Sequence, residues 1–485
     1  QVAGDELTPY SDANVIATGF LAAARALSNE EDRIRQRNDI DVDIANTTAS
    51  AFLGLTFQCA QCHNHKSDPI TARDYYRLLA FFVKGEPANL ALRDPVLWKE
   101  YHARRPADFE AARRTRDELF EVGRQRRLAE AARVFTPEQK AALALPRERR
   151  TPDQDRLARE ADLLLQFTPG QFERILTPEE RKRYDQARAA VAEMEKTMLP
   201  EPQTFGFLSP ASSPHQVDVL PMKGFYPLRF EAARLRNARA FLYEAGDPHR
   251  PAFVVEPGWP GFLGPAPTTA KDERTRLDLG DWLTDAAHPL TARVHANRIW
   301  LHHFGRGLVA TPNDFGVKGA RPTHPELLDF LASELLRTGS TRHLHRLIVM
   351  SNTYRQSARV PAQIARHNEK HDPDNKLYWR WSPRRLEAEV VRDSWLAASG
   401  ELDRKVGGGK TPPCTPDANS RRRTLYLLQQ RESPPKVQAL FDGPNAMTES
   451  CGQRQVTTVA LQPLYLLNSE FSEGRARALA ARVAK

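Results

Sequence analysis

Cys59-Ala60-Gln61-Cys62-His63 is the feature that most limits what this chain can become. Two thiols stand three positions apart, on a loop or helix end between two expected helices, and a histidine follows at once. A chain with four cysteines and 14 histidines in 485 residues would produce this pattern by chance roughly 0.001 times. Two thiols at this spacing can add across the two vinyl groups of one haem, and the adjacent imidazole can ligate its iron. The motif therefore points to one covalent haem c, with Cys59 and Cys62 as anchors and His63 as proximal ligand. His65 lies too close in sequence to reach the opposite haem face, and is expected to contact a propionate, a carbonyl or Asp68. Distant candidates for a sixth ligand are His302, His303, His345 and Met350, with an open sixth position as the alternative. Two other chemistries use the same residues. Zinc could draw on Cys59, Cys62 and His63 or His65 with a fourth ligand. A redox dithiol would need the cysteines alone, but no βαβ pattern surrounds them.

The pattern on either side is helical. Val42, Ala45, Ala49, Phe52 and Leu53 recur at helical spacing up to the motif. After it, Thr71 and Asp74 form a capping-box-like pair, followed by Tyr75, Leu78, Leu79 and Phe82 on one face. Residues 94–203 are dense in arginine and glutamate, with four Thr-Pro helix starts at Thr136, Thr151, Thr168 and Thr177. They read as a solvated helical insertion in preference to a partner-binding arm. Residues 204–268 are rich in proline, glycine and serine, with short strands expected at Ala240 to Tyr243 and Ala252 to Val255. Residues 269–485 return to helix, at Asp278 to Leu283, Ala292 to Phe304, Glu326 to Leu336 capped by Thr323, and about Arg384 to Ser399. Leu327, Leu328, Leu331 and Leu335 should face one core, and Thr424 to Leu428 reads as a strand. The fold class is thus mainly α: two helical domains, 1–93 and 269–485, with a charged helical insertion at 94–203 and a small β linker at 204–268.

Charge and cysteine usage narrow the partners. Lysine and arginine number 70 against 61 acids, a net charge of +9. No long basic run interleaves with aromatics, so nucleic acid is not an expected partner. No stretch reaches the ~18 apolar residues of a membrane span, and the longest, Ala49 to Phe57, is far shorter. Gln1 to Leu7 shows no basic segment leading into an apolar core, so no signal peptide is visible. Cys414 and Cys451 fit one bridge or two separate thiols, and such economy argues against a disulfide-built scaffold.

Longer stretches carry a resemblance. F-L-G-L-T-F-Q-C-A-Q-C-H-N-H-K-S-D-P-I-T from Phe52 and D-Y-Y-R-L-L-A-F-F from Asp74 resemble the cytochrome-like domain of the planctomycete cytochrome-c-associated proteins. L-T-A-R-V-H-A-N-R-I-W-L-H-H-F-G-R-G-L-V from Leu290, R-P-T-H-P-E-L-L-D-F-L-A from Arg321 and L-H-R-L-I-V-M-S-N-T-Y-R-Q-S from Leu344 resemble its partner domain. So do R-R-L-E-A-E-V-V-R-D from Arg384, R-R-T-L-Y-L from Arg422 and T-T-V-A-L-Q-P-L-Y-L-L-N from Thr457. Against the family, the chain is expected to begin partway through the first domain and to stop soon after Asn468. The resemblance implies export to the periplasm or cell exterior, a haem-bearing first domain, and a helical second domain of no settled activity. It also implies redox support for polysaccharide breakdown.

The expected function is an exported c-type haem protein in electron transfer or haem-based redox chemistry, with a redox partner protein and an anionic polysaccharide as candidate partners. If it is an enzyme, it is a haem-dependent oxidoreductase. The alternative is a non-enzymatic surface binding or scaffold protein with a structural zinc at the Cys/His cluster. Asn297, Arg298, Arg306, Tyr354, Arg355, Arg385, Glu387 and Arg392 read as a network of buried pairs and caps in preference to an anion site.

Overall fold

Helices dominate the chain because apolar side chains recur at helical spacing between strong caps. This computed structural model describes residues 1–25, 32–131, 133–145, 154, 157–158, 161, 172, 174–199, 201–220, 230–264, 274–406, 420–427, 435–443, 454 and 456–484. Its mainly α character agrees with the sequence reading. Residues 1–90 and 204–485 form one compact unit, and residues 91–203 form another.

In the first unit, α1 (Arg33–Thr48) runs directly into a π-helical turn, Ala49–Leu53. That turn ends at Gly54 with φ +59°, in the left-handed region that favours glycine. Helix α2 (Ala72–Leu79) starts at a reciprocal capping box: Asp74 N donates to Thr71 Oγ1 at 3.1 Å, and Thr71 N donates to Asp74 Oδ2 at 3.0 Å. Its Tyr75, Tyr76, Leu78 and Leu79 are buried, and Phe82 is buried just beyond its end.

Strand β1 (Glu86–Ala91) is the middle of a three-stranded sheet, flanked by β2 (Gln203–Leu208) and β3 (Val219–Leu220). The sequence reading placed residues 86–91 among helices. Their partners lie more than a hundred residues away across the insertion, so local pattern could not reveal the pairing. Buried Glu86 forms an ion pair with Arg37 Nη1 at 3.1 Å and accepts a hydrogen bond from Arg234 Nη2 at 2.7 Å. The expected hairpin is present as β4 (Ala240–Tyr243) and β5 (Pro251–Val255), antiparallel, with Ala240 opposite Val255. The stretch read as a linker thus contributes strands to this unit.

Helices α3 (Arg276–Thr284), α4 (Thr291–Phe304), α5 (Pro325–Thr338), α6 (Thr341–Met350), α7 (Ala388–Ala398), α8 (Leu461–Asn468) and α9 (Glu470–Val483) also belong to it. One core joins Ile40 and Ile44 of α1, Tyr75 and Leu78 of α2, and Trp282 and Leu283 of α3. Another joins Ile299 and Trp300 of α4 to Leu328, Leu331, Leu344 and Ile348, with Leu327 and Leu335 packed against it. Residues from the expected first and second helical domains therefore share a core. Burying Leu, Ile or Phe contributes about 2 kcal/mol per side chain, so these clusters account for the helix contacts.

Three local expectations are corrected. Helix α5 begins after His324, with Pro325 in its first turn; Thr323 is not its cap, because its hydroxyl is turned to Leu308 O at 3.4 Å and His324 Nδ1 at 3.0 Å. Thr424–Tyr426 is a 3-10 turn and no strand, since Asp393 Oδ1 takes the Thr424 N–H at 2.9 Å and its hydroxyl at 2.7 Å. Helix α7 starts at Ala388, four residues after Arg384; Arg385 is drawn off to Asp442.

The second unit contains Phe109–Ala131 packed along Pro178–Thr197, with Tyr101, Phe109, Val191 and Met198 in its core. Thr136 and Thr177 each close a capping box with a proline in the first turn. The matching starts at Thr151 and Thr168 lie outside the described residues, as do Cys414 and Cys451.

Candidate functional site

The motif lies on a short 3-10 turn, Phe57–Gln61, that ends at Cys62. Three residues per turn bring side chains i and i+3 into line. Phe57 and Ala60, 1% and 0% exposed, point to the core. Cys59 and Cys62 are consequently brought to the solvent side as free, exposed thiols. The same geometry that anchors the turn also presents the two sulfurs.

His63 follows on the exposed side. Its Nδ1 lies 2.7 Å from Asn64 O, so Nδ1–H donates to that carbonyl. That bond selects the tautomer with an unprotonated Nε2, the atom a metal would need. His65 is used differently. Its Nδ1 accepts the N–H groups of Asp68 at 2.8 Å and Ser67 at 3.3 Å, and its Nε2 lies 3.2 Å from Thr56 Oγ1. Both ring nitrogens are committed to folding the loop. Because Nδ1 is an acceptor, the 3.5 Å approach of Asp68 Oδ2 is packing and not an ion pair.

Segments distant in sequence hold the loop in place. Phe315 N donates to Gly54 O at 2.7 Å, and Val317 N donates to Asp68 Oδ1 at 2.6 Å. A three-residue stretch thus brackets both ends of the motif loop. A Cβ at Gly54 would stand 2.9 Å from Phe315 and Val294, and one at Gly316 would stand 2.5 Å from the Asp68 carboxylate. Arg298 of α4 donates to Ser50 O and Ala51 O, and at 2.9 Å to Asn313 Oδ1. These carbonyls lie in the π turn, where ordinary helix partners are lost.

The other flank is the hairpin. A Cβ at Gly246, φ +78°, would stand 2.8 Å from Cys62 Sγ. Tyr76 donates its hydroxyl to Gln61 O at 2.9 Å and meets Tyr243 edge-on at 5.4 Å. Burial, then the neighbouring Cys62, push the Tyr76 phenol well above its ordinary value. Gly246 and Tyr76 were not singled out as site residues in the sequence.

The remaining candidates lie elsewhere. His302 is exposed on α4, and Met350 is 64% exposed. His303 Nε2 is 2.7 Å from His345 Nδ1, and its ring meets Tyr354 edge-on at 5.5 Å. Among the described residues, no hydrogen bond or ring contact joins His302 or His303 to Cys59, Cys62 or His63. No group of three His, Cys, Asp or Glu side chains that could hold a metal ion occurs among the described residues.

Three of the polar positions singled out in the second domain are engaged in structure. Asn297 bonds Val309 through both its amide atoms, at 3.0 and 2.8 Å. Arg392 donates to Arg422 O at 2.9 Å and Ser420 O at 2.5 Å, and Arg385 pairs with Asp442. Among the described residues, no helix is long and apolar enough to cross a membrane.

Comparison with known families returns two domains. Residues 1–86 match PSCyt2, a protein of unknown function (DUF1549), and residues 275–485 match PSD1, a protein of unknown function (DUF1553). Searches of curated proteins and of solved structures each found no match. With both of its paired domains present in order, the chain belongs to the planctomycete cytochrome-c-associated family.

Proposed function

We propose that Cys59 and Cys62 anchor one haem c covalently, that His63 is its proximal ligand, and that the chain works in electron transfer or haem-based redox chemistry outside the cytoplasm. The observation that carries this reading is the turn itself: two free, exposed thiols in line, followed by an exposed imidazole with only Nδ1 engaged. The residues fit the group. The thiols can form two thioether bonds, and Nε2 can donate its lone pair to iron. A bound haem would supply one-electron chemistry. The chain's part is to hold His63 in one tautomer through Asn64, to fix the loop through His65 and Asp68, and to keep space beside Cys62 with Gly246. Export accords with covalent haem attachment, which takes place outside the cytoplasm. Redox support for polysaccharide breakdown is the biological setting this reading carries.

The structural-zinc reading has less support, because both nitrogens of His65 are already used within the loop. The test is a pyridine haemochrome spectrum of acid–acetone-extracted protein made with cytochrome c maturation enzymes in the periplasm. A c-type band that stays with the polypeptide, and disappears when Cys59 and Cys62 become Ala, is expected. No band under working maturation, with about one zinc per chain by metal analysis, would overturn it.

A further inference from the structure

Helix α2 carries Arg73 and Arg77 one turn apart, and Arg274 lies two residues ahead of α3. Arg77 is half-buried against the segment that follows the hairpin. Gly258 N donates to Arg77 O at 3.0 Å, and a Cβ on Gly258 would stand 2.2 Å from Arg77 Nη2 and 2.6 Å from its Cζ. The guanidinium therefore fills the space that any side chain at this position would take. Arg274 reaches the same three residues: Nη1 donates to Pro257 O at 3.3 Å, and Cζ lies 5.1 Å from the centre of the Trp259 ring. Trp259 is fixed in turn between Phe81 and Trp282, with ring centres 6.0 and 4.9 Å away.

Two guanidinium groups are thus seated on one rigid backbone segment, with Arg73 beside them. Among the described residues, neither Arg73 nor Arg77 gives its guanidinium to any acceptor or acid. Among the described residues, Arg274 has only the Pro257 carbonyl and the indole face. The acid on this helix, Asp74, has its Oδ2 engaged by the Thr71 N–H and hydroxyl at 3.0 and 2.7 Å. Burial, and the neighbouring charges of Arg274 and Arg73, hold Arg77 below its ordinary value despite Asp74. A half-buried cation facing like charges keeps donors and field uncompensated, and a bound anion would relieve both.

We propose that Arg73, Arg77 and Arg274 form a binding site for an oxyanionic group, a carboxylate, sulfate or phosphate. Arginine suits this role because its planar fork can give two parallel hydrogen bonds to such oxygens. The site stands on its own geometry and does not depend on the haem reading.

The probe is inorganic sulfate, titrated against chloride at constant ionic strength into the full haem-free chain, with thermal unfolding and tryptophan fluorescence as readouts. In wild type the sulfate effect should saturate, which distinguishes binding from the general salting effect. Arg77→Gln should weaken the apparent affinity about tenfold, the loss of one charge-assisted hydrogen-bond pair. Without sulfate, this variant should unfold no lower than wild type, because a repulsion has been removed. Arg293→Gln, which breaks an ordinary surface pair with Asp329, should leave the sulfate response unchanged. Equal, non-saturating sulfate effects in wild type and Arg77→Gln would overturn the proposal. So would a large stability loss in sulfate-free Arg77→Gln, which would make Arg77 a structural residue. Repeating the titration on haem-loaded chain identifies the source. Loss of the sulfate response there assigns the site to the haem's own propionates, and its persistence assigns it to an external anion.

Discussion

His288 makes the stability of this protein depend on pH in a way that can be worked out from its contacts. Its Nδ1 accepts Leu290 N–H and Thr291 N–H, both at 3.2 Å, and lies 3.0 Å from Thr291 Oγ1. The ring therefore caps the start of α4, the helix that carries Arg298 to the motif loop. It is only 8% exposed and meets Trp282 edge-on at 4.6 Å. A proton on Nδ1 would confront two N–H donors, and burial penalises the charged ring. Its pKa is lowered from 6.5 to about 4 by that burial, with Asp285 opposing. Between these values the unfolded chain holds the proton and the folded chain does not, so stability falls as pH falls. The contribution is complete above 6.5 and is lost through pH 4; it amounts to about 3 kcal/mol. Urea denaturation of wild type and His288→Gln at neutral pH and at pH 4 measures it. Glutamine can still accept an N–H bond but does not titrate. The stability gap between the two proteins should therefore shrink by about 3 kcal/mol on acidification. A gap that stays constant with pH would refute the reasoning, because some other group would then carry the acid sensitivity.

Three further outcomes follow from the site and its surroundings. Arg298→Met leaves the Ser50 and Ala51 carbonyls unbonded, so it should cost about 2 kcal/mol and raise hydrogen exchange in residues 50–68. Unchanged exchange there would mean that α4 does not hold the loop. Gly246→Val should slow alkylation of Cys62 relative to Cys59, because its side chain enters the space beside Cys62 Sγ; peptide mass mapping reads the ratio. Glu334 is held at about 2 by hydrogen bonds from Arg337 and then His343. Arg337→Met should raise it, and an unchanged NMR titration would remove Arg337 as the cause.

How much of this was legible beforehand varied with the range of the interactions. The motif, the Thr71–Asp74 cap, the capped starts at Thr136 and Thr177 and the β4–β5 hairpin are local, and were readable from residue type and spacing. Thr323 and Thr424 misled because acceptors remote in sequence, Leu308 O and Asp393 Oδ1, take hydrogen bonds from their hydroxyl and N–H groups. His65 was expected at a propionate, a carbonyl or Asp68, and its Nδ1 accepts the Asp68 N–H at 2.8 Å, a contact within its own loop.

By itself, the sequence determined which atoms can do chemistry here, two thiols and an imidazole at one spacing, and that the chain is mainly helical. Only the tertiary structure decided how those atoms are held. The clamp of Phe315 and Val317 on Gly54 and Asp68, and the seating of Arg77 and Arg274 on Pro257 to Trp259, join residues up to about 260 positions apart. Hydrogen bonds and burial act through space over a few ångströms, so a linear pattern carries no record of them until the chain has folded.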